Sequence, residues 1–282
     1  MSRASGIVSF ICFLLVTNIY SQEISYNEYT YAEKNGIRLN AYVFATDEVK
    51  AKEENPVIVI FHGGGWTMGE PSWAFGRAKH FAKIGFVAIA AHYRLSDKKN
   101  ITPLDAMDDA RDIIKWIRKN KKTLKIDPHK LVGYGWSAGA HLVTSAAIFG
   151  EPDLRVNSIP DALILVSPAV SLEEDAWFNT LLKDKIEART VSPDENVRKG
   201  LPPTLILQGR DDTVTPLSGA QKFTNRMKKD GNDCELIIYD KVGHLFTPAG
   251  EPDNGYPNPD PEIQQAAYEK ADKFLRKLGY IK

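Results

Sequence analysis

The sequence predicts an α/β protein built on a mostly parallel, eight-stranded sheet with helices on both faces. Three observations carry that prediction. Short, continuous apolar runs alternate with helix-length periodic segments along the chain. Such runs suit strands buried on both faces, and helical crossovers between them make the sheet parallel. The composition is that of an ordinary globular protein, with 43% hydrophobic and 26% charged residues among 282. No linker rich in Gly, Pro and Ser divides the chain, so residues 22–282 are expected to form a single domain.

Residues 1–21 (MSRASGIVSFICFLLVTNIYS) read as an address and not as part of the fold. Arg3 supplies a short positive start, and Ile7 to Val16 is nearly all apolar. That matches the core of a secretory signal peptide and falls short of the roughly 20 residues a membrane helix needs. The small Ser21 places cleavage before Gln22. A secreted or periplasmic protein is expected, with no membrane insertion of the mature chain.

After the signal, Gly36 to Ala45 reads as an early strand or hairpin arm. Pro56 to Phe61 (PVIVIF) is a buried strand, Ser72 to Ile84 a helix, and Phe86 to Ala91 another buried strand. A helix opens at Thr102 or Asp105 and runs to about Asn120. Leu131 to Gly135 is a short strand, and Ser137 to Phe149 a helix rich in small apolar residues. There follow a strand at Ala162–Ser167, a mostly helical stretch at Leu172–Arg189, a strand at Thr204–Gln208 and a helix at Pro216–Lys229. A strand at Glu235–Asp240 and a last helix at Pro261–Leu278 complete the pattern. The Pro- and Gly-rich patch from Pro248 to Pro261 is long for a connection inside a compact domain, as functional loops often are.

Charge and cysteine content narrow the function. The 36 Lys+Arg balance 36 Asp+Glu, so nothing draws the chain to nucleic acid or to anionic lipid. The basic run from Lys115 to Lys125 follows a helix whose apolar residues face inward, and reads as its solvated side. Cys12 falls in the signal segment. Cys234 is then alone, cannot form an internal disulfide, and reads as core packing at the start of a strand.

The chemistry concentrates in four places. Gly135-Trp136-Ser137-Ala138-Gly139 is a G-x-S-x-G sequence between a buried strand and a helix-forming segment. A serine in that strand–turn–helix context projects above the sheet from a strained turn, and the helix start beside it offers N–H groups to a developing oxyanion. Side chains two positions before or after the serine would collide with the adjoining strand and helix. Phe61-His62-Gly63-Gly64-Gly65-Trp66 follows the PVIVIF strand, and its glycines can present free N–H groups. Gly64 and Gly65, with Ala138, are the expected oxyanion donors. His62 is expected to anchor that loop. Asp212, in the loop LQGRDDTVTP after a buried strand, is the expected acid, with Asp211 the rival. His244, in a short loop after ELIIYD, is the expected base. Ser, Asp and His then follow in the order such hydrolases use. His141, one helical turn beyond Ser137, is expected to pack or hydrogen-bond beneath the elbow.

Taken together these residues resemble the α/β-hydrolase fold. More narrowly they resemble the hormone-sensitive-lipase-like carboxylesterases and the small secreted acetyl and feruloyl esterases related to them. The resemblance rests on HGGGW at 62–66, YRLS at 93–96, DARDIIKWIRKN at 109–120, GWSAGAHL at 135–142, GLPPTLILQGRDDTVTP at 200–216 and GHLF at 243–246. Lipase-like members of that group usually carry a helical cap before the HGGG strand. Only about 35 residues separate the signal from Pro56 here, so a minimal cap is expected, with some cover from Ser171–Lys199.

An open site suits a short acyl group on a bulky polar alcohol better than a long-chain lipid. Trp66, Trp136 and Phe246 border the expected triad and Trp177 lies in the covering segment. These four are the candidate substrate-binding residues. The resemblance implies a serine esterase acting on short-chain or feruloyl esters, with polysaccharide esters as a possible substrate. Its acyl-enzyme chemistry requires no metal or organic cofactor. Amide hydrolysis, as in kynurenine formamidases or peptidases of this fold, and a non-catalytic binding protein are the alternatives. The sequence leaves the oligomeric state open.

Overall fold

A computed structural model describes residues 24–97, 99–150, 156–252 and 255–282. The expected signal segment, with Cys12, lies outside the described residues. The sheet has eight strands: β1 (Tyr26–Lys34), β2 (Ile37–Phe44), β3 (Asn55–Phe61), β4 (Val87–Ala91), β5 (Ile126–Trp136), β6 (Ala162–Val166), β7 (Thr204–Gly209) and β8 (Cys234–Tyr239). Their spatial order is β1-β2-β4-β3-β5-β6-β7-β8. β1 and β2 pair antiparallel, β2 adds antiparallel to β4, and β3 to β8 run parallel.

β1 has no counterpart in the predicted element string. Its residues YNEYTYAEK are mostly polar and exposed, so neither alternation nor an apolar run announces them. The hairpin turn does: Asn35 and Gly36 both have positive φ, 53° and 74°, the pairing that Asn-Gly favours in two-residue hairpins.

Alternate residues of the central strands face opposite layers. Val57, Val59 and Phe61 of β3 pack with Ile89, Leu131, Leu163 and Ile206 in one cluster. The same cluster holds the apolar sides of α3 (Pro103–Lys119), α5 (Ala138–Phe149) and α7 (Leu217–Lys229). Ile58 and Ile60 face the other way with Val132, Tyr134, Ile164 and Leu205. There they meet α2 (Phe75–Lys83) and α8 (Pro261–Lys277). Two short helices, α1 (Asp47–Lys50) and α4 (Lys121–Leu124), sit in connections. Cys234 is buried at the start of β8, and burial raises its thiol to about 11.

The stretch Leu172–Arg189 is less helical than its sequence predicts. It contains one seven-residue helix, α6 (Ala176–Leu182), and ends in the first of two 3₁₀ turns, Ala188–Thr190 and Pro193–Asn196. The Asp175 carboxylate accepts from Phe178 N and caps its start, while Lys183 ends it in the left-handed region at φ 53°. Pro193 opens the second 3₁₀ turn. Before β3, the described residues hold only the hairpin and α1, so no helical cap arises there.

One buried ion-pair network ties the strand ends to α3. The Arg94 guanidinium donates to Asp109 through Nε and Nη2, both at 2.9 Å, and its backbone N–H donates to the same carboxylate. Asp109 is fully buried and Arg94 is 5% exposed. Lys34 adds a second cation at 2.9 Å. Removing one member of such a pair leaves a desolvated charge uncompensated. Asp109→Ala is therefore expected to lose about 3–5 kcal/mol of stability, read from urea unfolding. A loss under about 1 kcal/mol, the range of an exposed pair, would contradict the buried network.

Candidate active site

β5 delivers the serine. Ser137 follows the last strand residue, Trp136, and stands before the first turn of α5 at φ 52°, ψ −124°. A non-glycine residue in that region carries strain of order 1–3 kcal/mol. Two backbone approaches hold it there. A Cβ on Gly139 would lie 2.2 Å from Phe61 O and 2.4 Å from His62 O, and one on Gly135 would lie 2.3 Å from Gly139 O. The glycine two residues after the serine is therefore needed where α5 meets the end of β3, and the glycine before it where β5 meets α5. Ser137 N also donates to Val166 O at 3.0 Å, which joins the elbow to β6.

The loop after β3 lies over this elbow. Gly64 has φ 119°, and a Cβ there would lie 2.1 Å from Met68 O. The carbonyl of Gly64 accepts from Thr67 N and Met68 N. The N–H groups of Gly64, Gly65 and Ala138 donate to no acceptor among the described residues. His62 anchors the loop: its Nδ1 donates to Gly63 O at 2.7 Å, its ring stacks on Tyr93 at 4.4 Å, and the Tyr93 hydroxyl donates to His62 O at 2.8 Å. Burial lowers its imidazole to about 4.

The ends of β7 and β8 supply the other two groups. His244 Nε2 lies 3.1 Å from Ser137 Oγ. On the far side of the ring, Nδ1 lies 3.1 and 3.0 Å from the two carboxylate oxygens of Asp212. A neutral imidazole with Nδ1–H toward the carboxylate accepts from the serine at Nε2. Asp212 is buried, and its Oδ1 also accepts from Val214 N and Thr215 N at 3.0 and 2.7 Å. Asp211 is exposed, its backbone N–H donating to Val242 O. Of the two acids it is Asp212 that meets His244.

Some residues here were not anticipated from sequence. The Thr215 hydroxyl lies within 3.2 Å of His244 Nδ1, Asp212 Oδ2 and Ser167 O. Ser167 Oγ accepts from Leu245 N at 3.1 Å and so holds the histidine loop. Gln208 donates to Asp212 at 2.9 Å. A glutamine closing an otherwise apolar strand was the available signal for it.

The four aromatic candidates separate. Trp66 is buried and packs on Phe178 and His141, and its Nε1 donates to His141 Nδ1 at 3.2 Å. His141 Nε2 donates in turn to Val191 O at 3.3 Å, and burial lowers this imidazole to about 4. Trp136 is buried on the opposite face of the sheet, with the Arg77 guanidinium 4.2 Å above its ring. Phe246 is buried beside Tyr239. Only Trp177 among the four is open, 52% exposed, and its Nε1 donates to Gly65 O at 3.1 Å. It stands on the loop after β3 itself. Among the described residues no cluster of His, Cys, Asp and Glu fits a metal ion, and no helix is long and apolar enough to cross a membrane.

A serine at a strand–turn–helix, answered by a histidine and a carboxylate from later strand ends, is how α/β-hydrolases of the carboxylesterase type are organised. The chain belongs to the BD-FAE family, whose model matches residues 45–227. The fold is similar to that of Thermogutta terrifontis esterase 2. In its tabun-phosphoramylated form the TM-score is 0.80 at 31% identity, covering 91% of this chain and 96% of that one. In its propionate-bound form the TM-score is 0.79 at 32% identity, over 91% and 96% of the two chains.

Among sequence relatives, the acetylxylan esterase of Xylanibacter ruminicola is 27% identical over 68% of this chain and 42% of its own length. Endo-1,4-beta-xylanase B of Butyrivibrio fibrisolvens is 27% identical over 80% of this chain and 37% of its own. The chain thus spans well under two thirds of the length of these curated relatives.

His62 and His141 make acid stability a test of this geometry. An unfolded imidazole takes its proton near 6.5, whereas these two hold out to about 4. The unfolded chain then binds more protons in that window, so stability falls as pH drops from 6.5 toward 4 and is fully present above it. Each contributes a slope of about 1.4 kcal/mol per pH unit across it. Urea unfolding of His141→Gln is expected to show a slope shallower by that amount. An unchanged slope would place the protonation elsewhere.

Proposed function

We propose that the protein is a serine esterase that removes short acyl or feruloyl groups from polar alcohols, polysaccharides among them, outside the cytoplasm. The observation that carries this reading is the unbroken chain from Ser137 Oγ through His244 to a buried carboxylate, at 3.1 and 3.0 Å.

In the proposed mechanism Ser137 Oγ attacks the ester carbonyl carbon as His244 Nε2 takes its proton. The oxyanion is received by the N–H groups of Gly64, Gly65 and Ala138, with the positive end of the α5 dipole behind Ala138. Asp212 holds the tautomer and stabilises the imidazolium. Collapse of the tetrahedral species breaks the C–O bond to the alcohol, which leaves with the proton from His244. Water, deprotonated by the same nitrogen, then attacks the acyl-enzyme and restores Ser137.

Short acyl groups are favoured by the lack of a helical cap ahead of β3 among the described residues and by the propionate bound to the structurally similar esterase. The name of the Xylanibacter relative supports an acetylated polysaccharide. Trp177, open beside Gly65, is the proposed substrate contact among the four aromatics. Export is supported by the apolar run Ile7 to Val16 behind Arg3.

Initial rates on p-nitrophenyl esters from acetyl to dodecanoyl test the reading. Activity is expected to concentrate on the acetyl and butyryl esters and to vanish in Ser137→Ala, where kcat falls by on the order of 10⁶. Asp212→Asn is expected to cost roughly 10⁴, and Asp211→Asn little. Equal activity of wild type and Ser137→Ala on every ester would overturn the proposal. A feruloyl aryl ester assayed alongside separates the two acyl classes.

A further inference from the structure

Gln208 is the last side chain of β7 before Gly209, fully buried. Its Nε2 has three acceptors around it: Asp212 Oδ2 at 2.9 Å, Thr215 O at 3.0 Å and Gly209 O at 3.3 Å. All three are oxygens, so the amide orientation is fixed with nitrogen toward them. The carbonyl end pays for this. Gln208 Oε1 is buried and meets no donor among the described residues. A buried polar atom without a partner destabilises, and an apolar side chain of the same shape would avoid that penalty. The amide is therefore kept for its nitrogen, which serves the Asp212 loop, while its oxygen goes unpaired.

We propose that Gln208 is a positioning residue of this site, holding the Asp212 carboxylate against His244 through one N–H. The inference rests on the serine-esterase reading above. Both Asp212 oxygens lie within 3.1 Å of His244 Nδ1. Oδ1 is held by two backbone N–H groups, Val214 and Thr215, whereas Oδ2 depends on the side chains Gln208 and Thr215. Without Gln208, Oδ2 keeps the His244 Nδ1–H at 3.0 Å and a hydroxyl that is also within reach of Ser167 O. The carboxylate then turns more freely, and it carries more unshared negative charge toward the imidazole.

The groups facing His244 include Asp212 and Thr215 from the loop after β7 and Ser137 from the elbow. Nearby Asp211 and Lys241 are exposed, and the equally exposed Arg210 is paired with Asp240. Asp212 is thus the charged group through which a change at position 208 reaches the imidazole.

Gln208→Met and Gln208→Leu remove the N–H and roughly keep the shape. Each is expected to lower kcat by about 10- to 100-fold while KM stays within about twofold. The acid limb of the kcat/KM profile is expected to move up by about half a pH unit. Loss of a donor to the buried Asp212 carboxylate offsets removal of the unpaired Oε1, so Tm is expected to stay near that of the wild type. A limb that coincides with wild type in both variants overturns the proposal. So does an activity loss that tracks a lowered Tm, or failure of both variants to fold. Wild-type activity no greater than that of Ser137→Ala overturns the esterase reading itself, which separates the two failures.

Discussion

The first turn of α5 rests directly on the last carbonyls of β3, with room for a hydrogen and no more at Gly139. The rest of the site depends on that contact. It brings the elbow against the loop after β3, where a Cβ on Gly63 would lie 3.0 Å from Ser137 Cβ. It also fixes Ser137 in a backbone region that a non-glycine residue seldom adopts. Strain of this kind persists only where its surroundings over-determine it. Here β5 and β6 hold one side through Ser137 N–H to Val166 O, and the buried helix α5 holds the other.

The two halves of the site are held by different chemistry. The loop after β3 is fixed by a neutral, buried imidazole, His62, stacked on Tyr93. The charge-bearing half is fixed by hydrogen bonds converging on Asp212 from two backbone N–H groups, Thr215, Gln208 and His244. A buried carboxylate is tolerable only with such a shell of donors. Ser167 binds the halves together. It follows β6, its carbonyl lies within reach of Thr215 Oγ1, and its hydroxyl accepts from the histidine loop.

The reading from sequence located what is encoded within a few consecutive residues. The glycines of GWSAG and HGGG, the acid three residues after Gly209 and the histidine after β8 all carry their meaning in local spacing. The structure brings together Ser137, Asp212 and His244 as that reading expected. What depends on parity within a strand or on distant packing was less legible. Trp66 and Trp136 flank the site in sequence, yet they face opposite layers of the sheet and both are buried. The stack of His62 on Tyr93 joins residues far apart in the chain. The segment Leu172–Arg189 is apolar enough for helices but is interrupted at Lys183. β1 was hidden by its exposure, although the Asn35-Gly36 turn announced it.

The central claim is that the packing of α5 on β3 makes Ser137 a working nucleophile, with His244 as its base. The most direct measurement is intact-mass and peptide mapping after reaction with a fluorophosphonate, run on wild type, Ser137→Ala and His244→Ala. The account requires one adduct per chain, located on Ser137, absent from Ser137→Ala and formed far more slowly in His244→Ala. An adduct on another residue, or labelling of Ser137→Ala at the wild-type rate, would contradict it.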